Sequence, residues 1–175
     1  MRKVNVLIAG STGYIGIQLI KLLIKHKNVK IKYLCGSSSI GKNINTFDKS
    51  IRSKYLPKII KYKKKLLKNV DVIFAALPNG KAQKISNDLL SHNTLIDLSA
   101  DFRLVNLKDY LKWYRIKHSS IKNIKNSVYA LPEINRNRIK DYKIISCPGC
   151  YPTSILLPLI PLIQNNLIKS KNIII

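Results

Sequence analysis

A glycine-rich turn between an apolar segment and an amphipathic segment constrains this chain more than any other feature. The segment Val4–Ala9 is short, apolar and rich in branched residues, which predicts a buried parallel strand. Residues 17–25 then carry apolar side chains at helical spacing. Glycines at a strand-to-helix turn let the backbone turn tightly and let a phosphate reach the helix N-terminus. The intervening residues are Gly10-Ser11-Thr12-Gly13-Tyr14-Ile15-Gly16.

This turn predicts dinucleotide binding, with a structural tight turn as the alternative. Its spacing is G-x-x-G-x-x-G rather than the usual G-x-G-x-x-G, but the strand and the helix stand where that motif requires them. The residues predicted to contact the cofactor here are Gly10, Ser11, Thr12, Gly13, Tyr14 and Gly16.

The rest of the chain alternates apolar strands with helical segments, which is typical of an α/β protein with a doubly wound, Rossmann-type parallel sheet. Further strands are predicted at residues 29–34, 70–77, 94–98 and 143–146, and a helix after Pro78-Asn79-Gly80 up to residue 90. The polar, basic region 37–68 predicts only one element, a helix or strand near residues 56–67. We predict a cofactor domain over residues 1–149 and the start of a truncated second α+β domain over 150–175, because residues 172–175 resemble the opening of another strand.

The segment after the second strand indicates which dinucleotide is bound. An NAD site needs an acidic residue about twenty positions beyond the glycines to accept from the ribose 2′-hydroxyl. No acidic residue occurs between Gly16 and Asp48; Ser37, Ser38 and Lys42 stand there instead. Hydroxyls and an ammonium suit a 2′-phosphate, so NADP is the predicted cofactor. The alternative is an ordinary polar loop in a lysine-rich chain.

The charge of the chain has two interpretations. Lys and Arg number 32 against 8 Asp and Glu, giving a formal +24, which fits a nucleic-acid or anionic-membrane partner. However, only 6 of the basic residues are Arg, the better reader of phosphates, and Lys, Ile and Asn supply 70 of the 175 residues. These residue types have A- and T-rich codons, so we attribute the charge to codon usage and predict no nucleic-acid and no membrane partner. The apolar run 155–163 is interrupted by Pro158 and Pro161 and is too short to span a bilayer.

Three cysteines without a secretory signature indicate free thiols in a reducing, cytoplasmic setting. Two of them form Cys147-Pro148-Gly149-Cys150, between a predicted strand and an apolar helical segment. This C-x-x-C pattern fits a redox pair, half of a zinc site, or one nucleophile beside a bystander. Zinc lacks a second ligand pair, and no metal is predicted. A nucleophile next to a nicotinamide is the economical combination, since a thioester on sulfur is reducible by hydride.

Five segments occur along the chain in a characteristic order: residues 10–16, 76–80 (Ala-Leu-Pro-Asn-Gly), 96–104 (Ile-Asp-Leu-Ser-Ala-Asp-Phe-Arg-Leu), 129–136 (Tyr-Ala-Leu-Pro-Glu-Ile-Asn-Arg) and 148–153 (Pro-Gly-Cys-Tyr-Pro-Thr). Through these segments the chain resembles the N-acetyl-gamma-glutamyl-phosphate reductases over nearly all 175 residues. The resemblance implies NADPH-dependent reduction of N-acetyl-glutamyl 5-phosphate to the 5-semialdehyde, with release of phosphate, in arginine biosynthesis.

The resemblance also implies residue roles. Cys150 matches the catalytic cysteine that forms the thioester, and Ser99, Asp101, Arg103 and Leu131-Pro132-Glu133 match stretches that line the site. The predicted substrate residues are Ser99, Arg103, Pro132 and Glu133. Leu77 and Pro78 join the predicted cofactor residues. For Arg103 two roles stay open, contact with substrate or phosphate and pairing with Asp101.

Members of this family are about twice as long as this chain and form homo-oligomers. Their catalytic histidine has no counterpart in the context of His26, His92 or His118. Two alternatives therefore stand beside this activity, namely a catalytically silent NADP-binding remnant and a reductase resembling aspartate-semialdehyde dehydrogenase.

Overall fold

The computed structural model describes residues 2–52, 55–171 and 173–174. They form seven strands, six α-helices and two short 3₁₀ segments at Ile44–Thr46 and Lys64–Asn69. In chain order the strands and α-helices are β1 (Val4–Ala9), α1 (Tyr14–Leu23), β2 (Val29–Cys35), β3 (Ile59–Ile60), β4 (Val72–Ala75), α2 (Lys81–Asp88), β5 (Thr94–Asp97), α3 (Leu107–Tyr114), α4 (Ile121–Ile124), β6 (Ser127–Tyr129), α5 (Pro132–Ile139), β7 (Ile144–Ser146) and α6 (Cys150–Gln164).

All seven strands belong to one parallel sheet in the order β3-β2-β1-β4-β5-β7-β6. The registers bring the last residue of every strand onto one line across the sheet. From one edge to the other these residues are Ile60, Cys35, Ala9, Ala75, Asp97, Ser146 and Tyr129. Every loop that leaves the carboxyl end of a strand therefore starts from the same edge of the sheet.

The alternation of side chains along β1 divides the core into two halves. Leu7 and Ala9 lie in the cluster that includes Ile73, Leu95 and Ile144. Val6 and Ile8 belong to the other cluster, with Ile20 of α1. Both faces of β1 are buried from Val6 to Ala9, which explains why these four consecutive residues are all apolar.

The predicted doubly wound α/β fold is confirmed, and the predicted strands lie within one or two residues of β1, β2, β4, β5 and β7. Where one helix or strand was predicted near residues 56–67, the described residues of this region form the two-residue β3 and a 3₁₀ segment that continues to Asn69, with the other 3₁₀ segment earlier at Ile44–Thr46. The strand predicted at residues 172–175 falls partly outside the described residues, and the two described positions, 173 and 174, are not in a strand.

Helix α6 is apolar along its length, yet none of its described side chains is fully buried. The helix continues through Pro158 and Pro161, although each ring removes one backbone N–H from the helical ladder. Among the described residues, no helix has both the length and the apolarity required to cross a membrane.

Candidate active site

The site lies at the carboxyl edge of the sheet, where the strand order changes direction. Successive strands move outward from β1 through β2 to β3, and β4 then starts on the other side of β1. In open parallel sheets this switch point opens a crevice outside the strand ends, and ligands bind there. The ends of β1 and β7 are three strand spacings apart, about 14 Å.

Two glycines of the turn after β1 are required by close backbone contacts. Gly10 has φ +82°, and a Cβ at this position would lie 1.9 Å from the carbonyl oxygen of Ala76. A Cβ on Gly16 would lie 2.2 Å from the carbonyl oxygen of Gly10. Around Gly13 the closest atom to such a Cβ is 3.5 Å away, so this glycine leaves free surface rather than relieving a clash.

The start of α1 is a helix N-terminus without a side-chain cap. Its N-cap is Gly13, which supplies no side-chain cap, and the first turn contains no acidic residue. Backbone N–H groups at such a terminus favour an anion. Thr12 is half-buried and Tyr14 is exposed, whereas the Ser11 hydroxyl points inward and donates to the carbonyl of Cys35 at 3.1 Å. The residues therefore fit a dinucleotide pyrophosphate, with Ser11 contributing through its backbone.

The loop after β2 holds the predicted 2′-phosphate residues. Ser37, Ser38 and Lys42 are exposed, whereas Ser39 is buried. Hydrogen bonds from Gly36 N–H to Ile60 and from Gly41 N–H to Ile59 fasten both ends of this loop to β3. On the other side of the turn, the Leu77 side chain approaches Gly10, and Pro78 is exposed.

The loop after β5 is organised by the buried carboxylate of Asp97. Its Oδ1 accepts from the N–H and the hydroxyl of Ser99 at 2.9 and 2.5 Å, and its Oδ2 accepts from the N–H of Phe102 at 3.3 Å. Burial raises the pKa of this carboxyl, while the hydrogen bonds from Ser99 act in the opposite direction. The Ser99 hydroxyl is thus committed to shaping the loop, and its contact with substrate stays a prediction.

Arg103 at the end of this loop lies against the turn before α6. Its Nε donates to the carbonyl of Cys147 at 2.9 Å, and its Nη1 is 3.2 Å from the position that a Cβ on Gly149 would take. The carboxylate of Asp101 instead accepts from Gly80, Gln83 and Tyr110. Pairing of Arg103 with Asp101, one of the two roles left open by the sequence, is therefore wrong; the guanidinium faces the cysteine turn.

The three cysteines have distinct environments. Cys150 is exposed and is the first residue of α6, whose N-terminus has no side-chain cap and no acidic residue. Burial, with the Asp97 carboxylate nearby, raises the pKa of the Cys147 thiol to about 11, and burial raises that of Cys35 to about 12. Cys150 is therefore the accessible thiol of the C-x-x-C pair, and all three cysteines are free. The described residues contain no group of three or more His, Cys, Asp or Glu side chains that could hold a metal ion.

Pro132 and Glu133 begin α5, which follows β6 at the outer end of the same edge. Both are exposed. Because β6 pairs with β7, the start of α5 lies on the strand beside the one that leads to Cys150.

The helices that start at this edge differ in their electrostatics. The N-terminus of α2 receives the carboxylate of Asp101, and the first turn of α5 contains Glu133. The N-termini of α1 and α6 have no carboxylate in the first turn. Two positions are thus suited to anions, one beside the glycine turn and one at Cys150 next to Arg103.

The sequence missed the buried groups behind this surface. Asp97 and Asp101 were visible in the motif, but the partners Gln83, Tyr110 and His118 were not identified. The D-x-S spacing of Asp97 and Ser99 is a turn signal in which a carboxylate accepts from the backbone two residues on, and it was the one available clue. The other partners lie 9 to 18 residues from Asp101 and meet only in the fold.

The sheet, the switch point and the glycine turn define a dinucleotide-binding domain of the Rossmann type. A family model described as the semialdehyde dehydrogenase NAD-binding domain matches residues 5–142, and the chain belongs to this family. The cofactor class is accordingly a nicotinamide dinucleotide.

Similar proteins agree with this assignment. N-acetyl-gamma-glutamyl-phosphate reductase of Acinetobacter baylyi is 41% identical over 98% of this chain and 50% of its own length, which confirms the predicted resemblance. The chain thus spans about half the length of the curated relatives it matches. Among solved structures, aspartate semialdehyde dehydrogenase II of Vibrio cholerae superposes with a TM-score of 0.65 at 17% identity, covering 94% of this chain and 43% of that one. The Candida albicans aspartate semialdehyde dehydrogenase with NADP gives 0.57 at 19% identity, covering 93% and 47%.

Proposed function

We propose that this chain is the cofactor-binding and nucleophile-bearing part of an NADPH-dependent N-acetyl-glutamyl 5-phosphate reductase of arginine biosynthesis, acting in the cytoplasm. The observation that carries the proposal is the position of Cys150. It is exposed at the uncapped start of α6, beside Arg103, on the sheet edge that also carries the glycine turn.

The residues around Cys150 suit attack on an acyl phosphate. The sulfur attacks the carbonyl carbon, the bond from that carbon to the phosphate oxygen breaks, and inorganic phosphate leaves with the bonding electrons while the thiol proton is lost to water. The N–H groups of the first turn of α6 stabilise negative charge on the carbonyl oxygen. Arg103 lies against Gly149 and offers its guanidinium to the phosphate or the substrate carboxylate. Ser99, Pro132 and Glu133 complete the proposed substrate contacts.

The dinucleotide supplies hydride to the thioester carbon when it is bound. The chain's own contribution is to hold the pyrophosphate at the start of α1 and to select the nucleotide at the loop after β2. Exposed Ser37, Ser38 and Lys42 support NADP over NAD, because the loop offers donors and a positive charge to a 2′-phosphate.

Titration with the two reduced dinucleotides tests this preference. The unchanged chain is expected to bind NADPH on the order of tenfold more tightly than NADH. Ser38→Asp is expected to reverse the order, since the new carboxylate repels a 2′-phosphate and accepts from a 2′-hydroxyl. Ser91→Asp adds the same charge to an exposed residue before β5 and is the matched control. Tighter binding of NADH by the unchanged chain would refute the NADP assignment.

Mass spectrometry of the chain treated with N-acetyl-glutamyl 5-phosphate tests the nucleophile. We expect one acyl group per chain, attached at Cys150 and absent in Cys150→Ser, with phosphate released in equal amount. Cys147→Ser is the control, and its acylation is expected to be unchanged because the Cys147 thiol stays protonated at neutral pH. Acylation at another residue, or none, would contradict the role of Cys150.

The alternative is a catalytically silent NADP-binding remnant. An assay of NADPH oxidation with N-acetyl-glutamyl 5-phosphate separates the two. Turnover by this chain would reject the silent remnant, whereas nucleotide binding without acylation or turnover would support it. We also propose a domain boundary after residue 149 and a homo-oligomeric state. We propose no nucleic-acid and no membrane partner.

A further inference from the structure

The carboxylate of Asp101 joins two loops of the cleft that are remote in sequence. Asp101 belongs to the loop after β5, which also carries Ser99 and Arg103. Its Oδ1 accepts from the N–H of Gly80 at 2.6 Å, and its Oδ2 accepts from the N–H of Gln83 at 3.2 Å. Gly80 and Gln83 begin α2 in the loop after β4, so one side chain holds both loops.

This contact replaces a cap that α2 lacks in its own sequence. The N-cap of α2 is Gly80, with φ +84°, no side-chain cap and no acidic residue in the first turn. A capping box normally uses two side chains to satisfy the N-cap and N3 N–H groups. Here the two oxygens of Asp101 satisfy the same two N–H groups, and the negative charge interacts favourably with the positive end of the helix dipole.

Asp101 is itself held from several directions. Its side chain is inaccessible to solvent, and Oδ1 also accepts from the Tyr110 hydroxyl at 2.8 Å and the Gln83 side-chain amide at 3.2 Å. Nε2 of His118 lies 2.8 Å from the Asp101 carbonyl, and Nδ1 accepts from Ser120 N–H. The carboxylate is therefore rigid, and it is shielded from any ligand in the cleft.

We propose that Asp101 is a positioning residue. It fixes the start of α2 against the loop after β5, and these two loops together face the nicotinamide half of the cofactor. The inference rests on the proposed function of this cleft. In a doubly wound sheet each half binds one mononucleotide, and β4 opens the half that lies across the switch point from the adenosine side. Loss of the Asp101 carboxylate should therefore weaken contacts to the nicotinamide side and leave the adenosine side intact.

Asp101→Asn is the decisive variant, because the amide keeps the size of the side chain but turns an NH₂ group toward one of the two backbone donors. We expect NADPH binding to weaken on the order of tenfold and binding of 2′,5′-ADP to change less than twofold. Asp71→Asn is the matched control. Asp71 precedes β4 at the amino edge of the sheet, and its carboxylate accepts from Asn5 N–H at 2.7 Å. We expect Asp71→Asn to leave the binding of both NADPH and 2′,5′-ADP unchanged.

Hydrogen exchange supplies a readout that does not depend on the nucleotide. In Asp101→Asn the N–H groups of Gly80 and Gln83 are expected to exchange faster, while those of residues 10–16 keep their rates. If Asp101→Asn proves too unstable to purify, Tyr110→Phe replaces it. This variant leaves the carboxylate in place and removes one of its donors, so the N–H groups of Gly80 and Gln83 should exchange faster, but by less.

The outcomes separate this inference from the proposed function. If the unchanged chain binds neither NADPH nor 2′,5′-ADP, the proposed function fails, and exchange at Gly80 and Gln83 still decides whether Asp101 fixes the turn. Equal weakening of both ligands in Asp101→Asn, or unchanged exchange at these two residues, would overturn the inference.

Discussion

The two walls of the cleft are loops that follow a strand, and each must find acceptors for its first backbone N–H groups. They do so by opposite means. The glycine wall, residues 10–16, follows β1, and the carboxylate wall, residues 97–103, ends β5 and follows it. In the glycine wall the N–H groups of Gly10 and Ser11 both donate to the carbonyl of Cys35. In the carboxylate wall the N–H groups of Ser99 and Phe102 donate to the side chain of Asp97. The first wall depends on missing side-chain atoms and the second on two buried carboxylates.

Because of this difference, the two walls should respond differently to added side-chain atoms, to loss of a charge and to pH. A wall made by close backbone contacts tolerates no added Cβ at Gly10 or Gly16 but has no buried ionisable group. A wall made by carboxylates tolerates changes of loop surface but depends on charge, on hydrogen-bond acceptors and on pH. Each of the following experiments tests one side of this contrast.

Adding a methyl group to the glycine wall should produce the largest effect. Gly16→Ala places a Cβ 2.2 Å from the carbonyl oxygen of Gly10, and backbone atoms cannot move away as a flexible side chain would. We expect a loss of about 3–4 kcal/mol in the free energy of unfolding, measured by urea denaturation. Gly13→Ala, with 3.5 Å available, should cost about 1 kcal/mol or less. Equal costs at the two positions would show that the wall is not set by steric contact.

Removing an acceptor from the carboxylate wall should have the next largest effect. Asp97→Asn presents an NH₂ group to Ser99 or to the N–H of Phe102 and leaves a buried donor without its partner. We expect a loss of about 2 kcal/mol in the free energy of unfolding. Asp109→Asn, an exposed residue in the first turn of α3, is the control and should cost less than about 0.5 kcal/mol. A stability equal to that of the unchanged chain would mean that Asp97 is not required to hold the loop.

Acid should loosen the carboxylate wall selectively through His118. Because Nδ1 accepts from Ser120 N–H, Nε2 carries the proton and donates to the Asp101 carbonyl, so the buried ring is neutral. Burial lowers the pKa of His118, and this outweighs the opposing effect of Asp101. The stabilising contribution of the neutral ring is complete above the unfolded-state pKa of about 6.5 and is lost as the pH falls through that value toward the folded-state pKa.

The melting temperature of the unchanged chain should therefore fall between pH 7.5 and 5.5, and the fall should be shallower in His118→Gln. Hydrogen exchange over the same range should accelerate at residues 99–103 before it accelerates at residues 10–16. Parallel pH profiles for the two proteins would exclude His118 as the origin of acid sensitivity.

The smallest expected effect concerns a hydroxyl beside the carboxylate wall. Ser146 is opposite Asp97 in the sheet, and within the described residues its buried Oγ has no hydrogen-bond partner. Ser146→Ala removes this desolvated group and should raise the free energy of unfolding by up to about 1 kcal/mol. Ser127→Ala removes a hydroxyl that donates to the Ile124 carbonyl at 2.6 Å and should lower it by about 1 kcal/mol. Destabilisation by both substitutions would show that Ser146 has a partner.

The same contrast explains how much the sequence predicted. The glycine wall was predictable because its strand, turn and helix are consecutive in the chain and because glycine itself marks close backbone approach. The strands β1, β2, β4, β5 and β7 were predictable from their apolar runs. Strand β3 has only two residues, and β6 has one buried apolar residue, Val128, so neither shows the apolar run that marks the three-residue β7.

The carboxylate wall was not predictable, because its meaning depends on distant partners. The sequence placed Asp101 in a motif that lines the site, but only the fold brings its carboxylate to Gly80 and Gln83. Arg103 had two open roles for the same reason. Its contact with the Cys147 carbonyl joins residues 44 positions apart, and no local pattern reports it.

The alignment of all seven strand ends along one line at the carboxyl edge has a consequence for how ligand preference can change in such a protein. The paired strand residues end at that line, and the loops that carry the predicted ligand residues begin beyond it. Insertions or exchanges in a single loop, such as residues 36–42, can therefore alter ligand choice while the packing beneath stays the same. Exposed positions such as Ser37 and Ser38 can therefore vary with little effect on folding, whereas Gly16 and Asp97 serve both the cleft and the stability of the fold.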